Sequence, residues 1–423
     1  MAPVIVLPPS LHMSPYGSAL QEKPSNMLMQ KPYQRSFGHS TPNLNSHTMK
    51  TNTEDGVPLK DTSNKPFATE TKCVKARSQN NSPTQSQHSF AWTKYKSVTP
   101  VSSHVPLQRH QVDKSSNSFE EILDTSHRTE REVRASLSKL RRVILTEGLP
   151  EEDLPKLALN SLRSRVWKHL LGVYHVSARE YIHLINKGRS CVYDKVRNDT
   201  FRTLATDKKF LEKVNEEMLI RVLNAFAWKM KSSSSCNGQS VTYVQGMNVL
   251  VAPFLFTMSE IDAFFSFATF IQTCCPLYVT PTLQGVHCGL KLLDKCLQIL
   301  DPELFNYLRS KSLKAEIYAL SSILTLCACT PPLEQVLRLW DFLLAYGVHL
   351  NVLCVIAQLI LMRKQLLKAP SPMKLLRTMP ELNAKQIINL TVQLAQKIPD
   401  KLYDLLVRHP FDPDVATILE KEK

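Results

Sequence analysis

Apolar residues recur at helical spacing from Glu132 almost to the C-terminus of this 423-residue chain. The segment REVRASLSKLRRVILTEG places four of them on one stripe at spacings of four, three and four: Val133, Leu137, Leu140 and Ile144. Alternating patterns typical of β-strands are almost absent, and no fixed period of the kind seen in helical solenoids recurs. The sequence therefore predicts an irregular all-α domain of roughly a dozen or more helices.

The first part of the chain differs in composition. Residues 1–117 are rich in Ser, Thr, Asn, Gln, Pro and Lys, and their scattered apolar residues follow no helical or strand period. Such a segment cannot bury enough surface to offset the entropy lost on ordering. We therefore predict a disordered Ser/Pro-rich tail over 1–117. Residues 118–423 are predicted to form one large domain or two tightly joined lobes, with order beginning at a capping box of Ser118 and Glu121.

Charge, cysteine usage and hydropathy exclude several classes of protein. Lys and Arg outnumber Asp and Glu by only 14 to 10 in residues 1–130, so the formal charge of +15 is spread along the chain and indicates no nucleic-acid site. The ten cysteines contain no CxxC pair, which argues against a disulfide framework or a metal site and favours a reduced cytoplasmic protein. The longest apolar run, Val249–Met258, is too short to cross a membrane.

Several helix boundaries can be predicted from capping residues. Thr206 or Asp207 is expected to open a helix that continues through Val214 to Val222. Thr330-Pro331 is expected to open a second helix that ends at Gly347. The other expected N-terminal caps are Ser259 with Asp262, Asp301 with Pro302, and Asn383 with Gln386.

Two polar motifs interrupt these helical patterns. Asp199 and Arg202 lie three residues apart in DKVRNDTFRTLATD, a loop or short helix. Taken alone, they indicate no more than an i, i+3 ion pair on the surface. Gln245 and Gly246 stand at the start of the apolar run VTYVQGMNVL, where the amide could cap a helix or point into a site.

Read together, the motifs resemble those of the TBC domain of Rab-type GTPase-activating proteins. VRNDTFR matches Ile-x-x-Asp-x-x-Arg with Val196 in place of isoleucine, and Tyr243, Gln245 and Gly246 match Tyr-x-Gln-Gly in full. LRSRVWKHLLG and RLWDFLL are similar to the family's opening and late Trp-Asp elements. We expect their conspicuous side chains to be structural, forming an Arg–Asp pair and buried indoles: Arg165, Trp167, Arg338, Trp340 and Asp341.

The resemblance implies a site that acts on the nucleotide of another protein. Arg202 would be an arginine finger that stabilises charge on the transferred phosphoryl group, an effect of about 10³ to 10⁵ in rate, or roughly 4 to 7 kcal/mol. Gln245 would be a glutamine finger that orients the attacking water. Asp199, Tyr243 and Gly246 would support them: Asp199 orienting the guanidinium, Tyr243 bracing the turn, and Gly246 letting the backbone pass close to the GTPase.

Further phrases, including RRVILTEGLP and SPMKLLRTMP, resemble a fungal checkpoint subgroup of this family. That resemblance implies a Rab-like small GTPase as partner, a separate scaffold subunit, and a cytoplasmic role at the spindle pole body in restraining mitotic exit or septation. GTP and Mg²⁺ would be bound by the GTPase, so no cofactor of this chain's own is expected. Ala205 replaces a proline found after many such fingers, which predicts weak activity for the isolated chain.

Two alternatives remain at this point. The chain could be a catalytically weak adaptor that binds a GTPase or a scaffold without accelerating hydrolysis, although Arg202 and Gln245 are both intact. It could also be a basic helical module for nucleic acid, although no groove-reading motif supports that reading. If the chain is instead a GTPase-activating protein, it stimulates the hydrolysis carried out by its partner, and no independent catalytic activity is expected of it.

Overall fold

The structure is a computed structural model that describes residues 119, 122–123, 130–150, 161–233, 243–377 and 380–421. These residues belong to one compact unit. They form α-helices, two short 3₁₀ turns and connecting loops, and no β-strand occurs among them. The tail predicted over 1–117 and the capping box of Ser118 and Glu121 lie outside the described residues. The predicted all-α fold class is confirmed.

The helices are α1 (Glu130–Thr146), α2 (Leu162–Leu171), α3 (Ala178–Asn186), α4 (Tyr193–Thr200), α5 (Lys208–Lys213), α6 (Glu216–Ser233), α7 (Met247–Thr257), α8 (Glu260–Cys274), α9 (Gln284–Leu300), α10 (Pro302–Ser310), α11 (Ala315–Tyr318), α12 (Leu320–Leu324), α13 (Leu333–Tyr346), α14 (Asn351–Leu361), α15 (Arg363–Lys368), α16 (Pro372–Arg377), α17 (Ala384–Lys397), α18 (Asp400–Arg408) and α19 (Asp414–Lys421). The 3₁₀ turns are Pro276–Tyr278 and Val348–Leu350.

Four of the predicted N-terminal caps are present. The side chains of Asp207, Ser259, Asp301 and Asn383 each accept a hydrogen bond from the backbone N–H three residues further on. Each bond satisfies one of the amides that a helix start leaves without a partner in the helix. The caps therefore fix the starts of α5, α8, α10 and α17.

Two of the predicted helices differ from the observed ones. The helix expected to continue through Val214 is broken there, because Val214 has an extended conformation and Asn215 caps the start of α6 through the N–H of Met218 at 2.9 Å. The apolar spacing continues across the break, so the pattern hides it. Helix α13 begins at Leu333 and not at Thr330, because Pro332 is extended.

Helix α7 is the centre of the N-terminal half. All of its residues are buried, and it packs against α2, α4, α6, α8 and α13. Four aromatic rings meet beside it, with centroids about 5.4 to 6.0 Å apart: Trp167, Phe254, Phe270 and Trp340. Such offset and edge-to-face contacts add to the free energy gained by burying the rings. The buried indoles predicted from the sequence lie at this point.

An ion pair joins α2 to α13 next to these rings. Arg163 Nε lies 3.0 Å from Asp341 Oδ1 and Arg163 Nη2 lies 3.1 Å from Oδ2. The Trp167 indole N–H also donates to Asp341 Oδ1, at 2.7 Å. Arg163 and Trp167 lie one helical turn apart on α2, so both reach the same carboxylate. An Arg–Asp pair was predicted, and its arginine is Arg163.

Helices α9, α14 and α17 form the centre of the C-terminal half. Helix α13 contacts α1, α2 and α7 on one side and α17 on the other, so it links the two halves. Two histidines are buried in the C-terminal half. His349 packs against Tyr403, with ring centroids 5.9 Å apart, and His409 bonds to the Tyr278 hydroxyl at 2.9 Å.

The described cysteines are free thiols, and all but Cys191 are buried. Burial raises the pKa of Cys274 to about 11, which keeps this thiol protonated near neutral pH.

Within the described part of the chain, no group of His, Cys, Asp or Glu side chains is arranged to hold a metal ion. None of the described helices is long and apolar enough to span a membrane.

We predict that Asp341→Ala lowers the free energy of unfolding by about 3 to 5 kcal/mol, because it removes the buried carboxylate that bonds to the Arg163 guanidinium and to the Trp167 indole. Urea denaturation measures this change. The matched control is Glu217→Ala, which removes an exposed partner of Arg221 at 3.5 Å and is expected to cost less than about 1 kcal/mol. Equal losses in the two variants would contradict the role given to Asp341.

A second prediction concerns pH. Burial lowers the pKa of His349 to about 3 and of His409 to about 4, whereas both protonate near 6.5 in the unfolded chain. As pH falls from about 6.5 to 4, the unfolded state therefore binds more protons, and the free energy of unfolding falls by up to about 1.4 kcal/mol per pH unit for each histidine.

Denaturation series at several pH values measure this slope. His349→Leu should make the slope shallower by up to one proton per molecule, while His183→Leu, at an exposed position on α3, should leave it unchanged. An unchanged slope in the His349 variant would show that its protonation is not linked to unfolding.

Candidate functional site

The arginine motif lies at the end of α4 and in the turn after it. Val196 and Asp199 face the interior, whereas Phe201 and Arg202 lie in the turn and are exposed. The turn is closed by two backbone bonds, Thr203 N–H to Thr200 at 3.0 Å and Asp207 N–H to Leu204 at 2.9 Å. A helix end at this point therefore presents Arg202 outside the helix.

The Asp199 carboxylate connects the two motifs. Its Oδ1 accepts a hydrogen bond from Arg202 Nη2, and its Oδ2 accepts one from the Tyr243 hydroxyl at 2.8 Å. Asp199 is 7% exposed and Tyr243 is 5% exposed, so the bond between these two side chains is shielded from water, whereas the bond to the exposed Arg202 is only partly buried. The structure thus brings together three of the five predicted site residues, from positions 44 apart in the chain.

Asn248 makes a second connection. Its Nδ2 donates to the Thr203 hydroxyl at 2.9 Å and to the Asp199 carbonyl at 3.3 Å, and its Oδ1 accepts from the Gly246 N–H at 3.1 Å. One buried amide therefore joins the turn that carries Arg202 to the turn that carries Gln245. Sequence reasoning missed this residue. The available signal was an asparagine in the otherwise apolar start of α7.

Gly246 is required by the fold of the second turn. Its φ of +104° lies in the left-handed region, and a Cβ added there would lie 3.0 Å from Leu324 Cδ2. Gly246 is buried, so within this chain its side face packs against Leu324. Gln245 precedes it in the same turn and is exposed. In this turn Gln245 is therefore exposed to solvent, whereas Gly246 is buried.

The electrostatics of the site are asymmetric. Burial, followed by the nearby Asp199 carboxylate, raises the pKa of Tyr243 above its usual range, so its hydroxyl remains a hydrogen-bond donor. The Arg202 side chain is 50% exposed and the Asp199 side chain is 11% exposed. The site therefore presents a positive charge and a neutral amide to solvent while the negative charge stays beneath them. Such a surface can form charge-assisted hydrogen bonds to an anionic group such as a phosphate.

Comparisons with known proteins show which family this chain belongs to. The chain matches the RabGAP-TBC family, the Rab-GTPase-TBC domain, over residues 160–368, which include both motifs. A relative from Schizosaccharomyces pombe, cell division control protein 16, is 46% identical over 286 residues, which are 67% of this chain and 92% of the relative. This chain therefore belongs to the RabGAP-TBC family, and membership implies a small GTPase as partner.

Among particular proteins, it is also similar to the mitotic check point protein BUB2 of Saccharomyces cerevisiae. The two are 44% identical over 292 residues, which are 67% of this chain and 94% of that relative. A solved structure, the Chlamydomonas flagellar RabGAP TBC domain, is also similar to this chain. The match covers 71% of this chain and 91% of the solved chain, with 19% sequence identity and a TM-score of 0.48.

We predict that Asn248→Ala loosens both turns of the site. Removing this buried amide leaves the Gly246 N–H and the Asp199 carbonyl without that partner, at a cost of about 1 to 3 kcal/mol. Hydrogen–deuterium exchange should become faster in both 201–206 and 243–248.

The matched control is Asn224→Ala, another buried asparagine, which donates to Gly188 at 2.8 Å and accepts from Ser190 at 2.9 Å. Its substitution should cost a similar free energy but accelerate exchange around 188–190. Faster exchange in only one of the two turns after Asn248→Ala would show that the amide does not join them.

Proposed function

We propose that this chain is a GTPase-activating subunit that stimulates GTP hydrolysis by a Rab-like small GTPase. Arg202 would act as an arginine finger and Gln245 as a glutamine finger, both inserted into the nucleotide site of the partner. The observation that carries the proposal is the Asp199 carboxylate, which bonds to Arg202 and to Tyr243 and so holds the two motifs on one surface. Family membership supports it.

Arg202 is suited to stabilising charge in a partner's site. One terminal nitrogen donates to Asp199, and a guanidinium has five N–H donors, so further donors remain for phosphate oxygens. The Asp199 bond limits the conformations of a long side chain before the partner arrives, which lowers the entropy lost on docking. The positive charge would oppose the negative charge that develops on the phosphoryl group during transfer.

Gln245 is suited to orienting water. Its amide offers both a donor and an acceptor, which is what a positioned nucleophilic water requires. The amide stands on a turn whose backbone is fixed by Gly246 and Asn248, so its position does not depend on an independently mobile loop. In this proposal GTP and Mg²⁺ belong to the partner GTPase, and this chain contributes no cofactor.

The relatives suggest the cellular setting. Their names describe cell division control and a mitotic check point, so we propose a role in the checkpoint that restrains mitotic exit or septation, in the cytoplasm and at the spindle pole body. A separate scaffold subunit belongs to this proposal, together with weak activity of the chain alone. Ala205 occupies the position of the usual proline, although Thr203 ties the same turn to Asp199 and Asn248.

We predict that Arg202→Ala lowers the maximal rate of single-turnover GTP hydrolysis by about 10³-fold or more, and that Gln245→Ala lowers it by at least about tenfold. Purified Rab-like small GTPases loaded with GTP provide the assay, with this chain in excess, alone and with its scaffold subunit. Arg179→Ala, an exposed arginine on α3, serves as the charge-matched control and should leave the rate unchanged.

Unchanged rates in both finger variants would refute the finger roles. Binding to a GTPase without any stimulation, with or without the scaffold subunit, would instead support the adaptor function. The two outcomes are separated because binding and hydrolysis are measured on the same GTPase.

A further inference from the structure

We propose that exposed apolar side chains near the fingers form a docking surface for the GTPase, with Phe201 next to Arg202 and with Ile317 and Leu320 on the helices next to the Gln245 turn. We name this set the apolar flanks. The inference rests on the proposed function and deepens it, because it specifies the partner: a small GTPase whose surface beside the nucleotide site is apolar. Phe201 is 66% exposed, Ile317 is 52% exposed and Leu320 is 39% exposed.

Phe201 stands next to Arg202 in the same exposed turn. Consecutive Cα atoms lie 3.8 Å apart, so a protein that takes the Arg202 guanidinium into its nucleotide site comes close to Phe201. Among the large apolar side chains that the structure describes, Phe201 has the highest exposed fraction. Covering it releases water from a large apolar area at a small cost in side-chain entropy, which is why aromatic residues anchor interfaces.

The second flank begins beneath the glutamine turn. Leu324 lies against Gly246 and is the last residue of α12. Leu320, four residues earlier, lies about one helical turn from it, roughly 6 Å along the axis. Helix α11, which carries Ile317, contacts α12. The exposed Leu320 and Ile317 therefore lie on two contacting short helices, one of which ends against the Gln245 turn.

The backbone in and just after α12 is hydrogen-bonded to buried side chains of the core. The carbonyl of Ser322 accepts from Asn351 Nδ2 at 2.9 Å, and that of Leu326 accepts from the Trp340 indole at 3.0 Å. These bonds fix the backbone that carries the exposed side chains of α11 and α12 relative to the buried core. A rigid apolar patch binds with little loss of backbone entropy.

The two parts of the surface have different tasks. The polar fingers act on charge that develops during hydrolysis, whereas the apolar flanks contact the partner equally before and during the reaction. Interactions of the second kind change affinity without changing the maximal rate. The apolar flanks are therefore positioning residues that select among GTPases, since a GTPase with charged side chains at the facing positions would have to bury them unpaired.

The test is a single-turnover assay in which the concentration of this chain is varied over a fixed, low concentration of GTP-loaded Rab-like GTPase. The GTPase used is the one most strongly stimulated by the unmodified chain, with the scaffold subunit present. Each titration gives a half-saturating concentration and a maximal rate. Phe201→Ala and Ile317→Ala should each raise the half-saturating concentration by about tenfold and leave the maximal rate within about twofold.

Ile182→Ala is the matched control, since Ile182 is 53% exposed on α3 and Ile317 is 52% exposed. It should leave both parameters unchanged. Phe201→Trp, which keeps a large aromatic ring, should retain the low half-saturating concentration. Circular dichroism of each variant verifies the fold.

An unchanged half-saturating concentration in Phe201→Ala and Ile317→Ala, with the finger variants still slow at saturation, would overturn the docking surface and leave the proposed function standing. An equal rise in Ile182→Ala would also overturn it. Absence of stimulation by the unmodified chain would overturn the proposed function and this inference together.

Discussion

One buried carboxylate holds the candidate site together. Asp199 accepts from Arg202 on one oxygen and from Tyr243 on the other, and its backbone carbonyl accepts from Asn248. If the Asp199 carboxylate were absent, the turn with Arg202 and the turn with Gln245 would be joined only through the Asn248 amide. A buried carboxylate is costly unless its oxygens are hydrogen-bonded, so the structure supplies a partner for each. The proposed function depends on this arrangement.

The surrounding fold supports that carboxylate through its most buried helix. Helix α7 begins immediately after the Gln245 turn, and every one of its residues is buried. Because α7 packs against α4 and α6, the start of α7 and the end of α4 meet at a fixed position. The core therefore determines where the two exposed side chains stand, and the side chains themselves contribute little to its stability.

The all-α fold and many of the helix starts could be predicted from the sequence, because helix capping and apolar periodicity are local patterns. The caps at Ser259 and Asp301 were identified from a polar side chain placed before an apolar repeat. The break at Val214 was missed because apolar spacing persists across it. Asn248 was missed because its three bonds join segments far apart in the chain, and no local pattern records them. Arg163 was missed as the partner of Asp341 for the same reason.

A double-mutant cycle of Arg202→Ala and Gln245→Ala on the maximal single-turnover rate of GTP hydrolysis shows directly whether the two side chains act together. If both side chains act on one transition state from one platform, removing the second should cost much less once the first is gone. The double variant should therefore be only slightly slower than Arg202→Ala. A double variant whose loss equals the product of the two single losses would contradict joint action of Arg202 and Gln245 on one transition state.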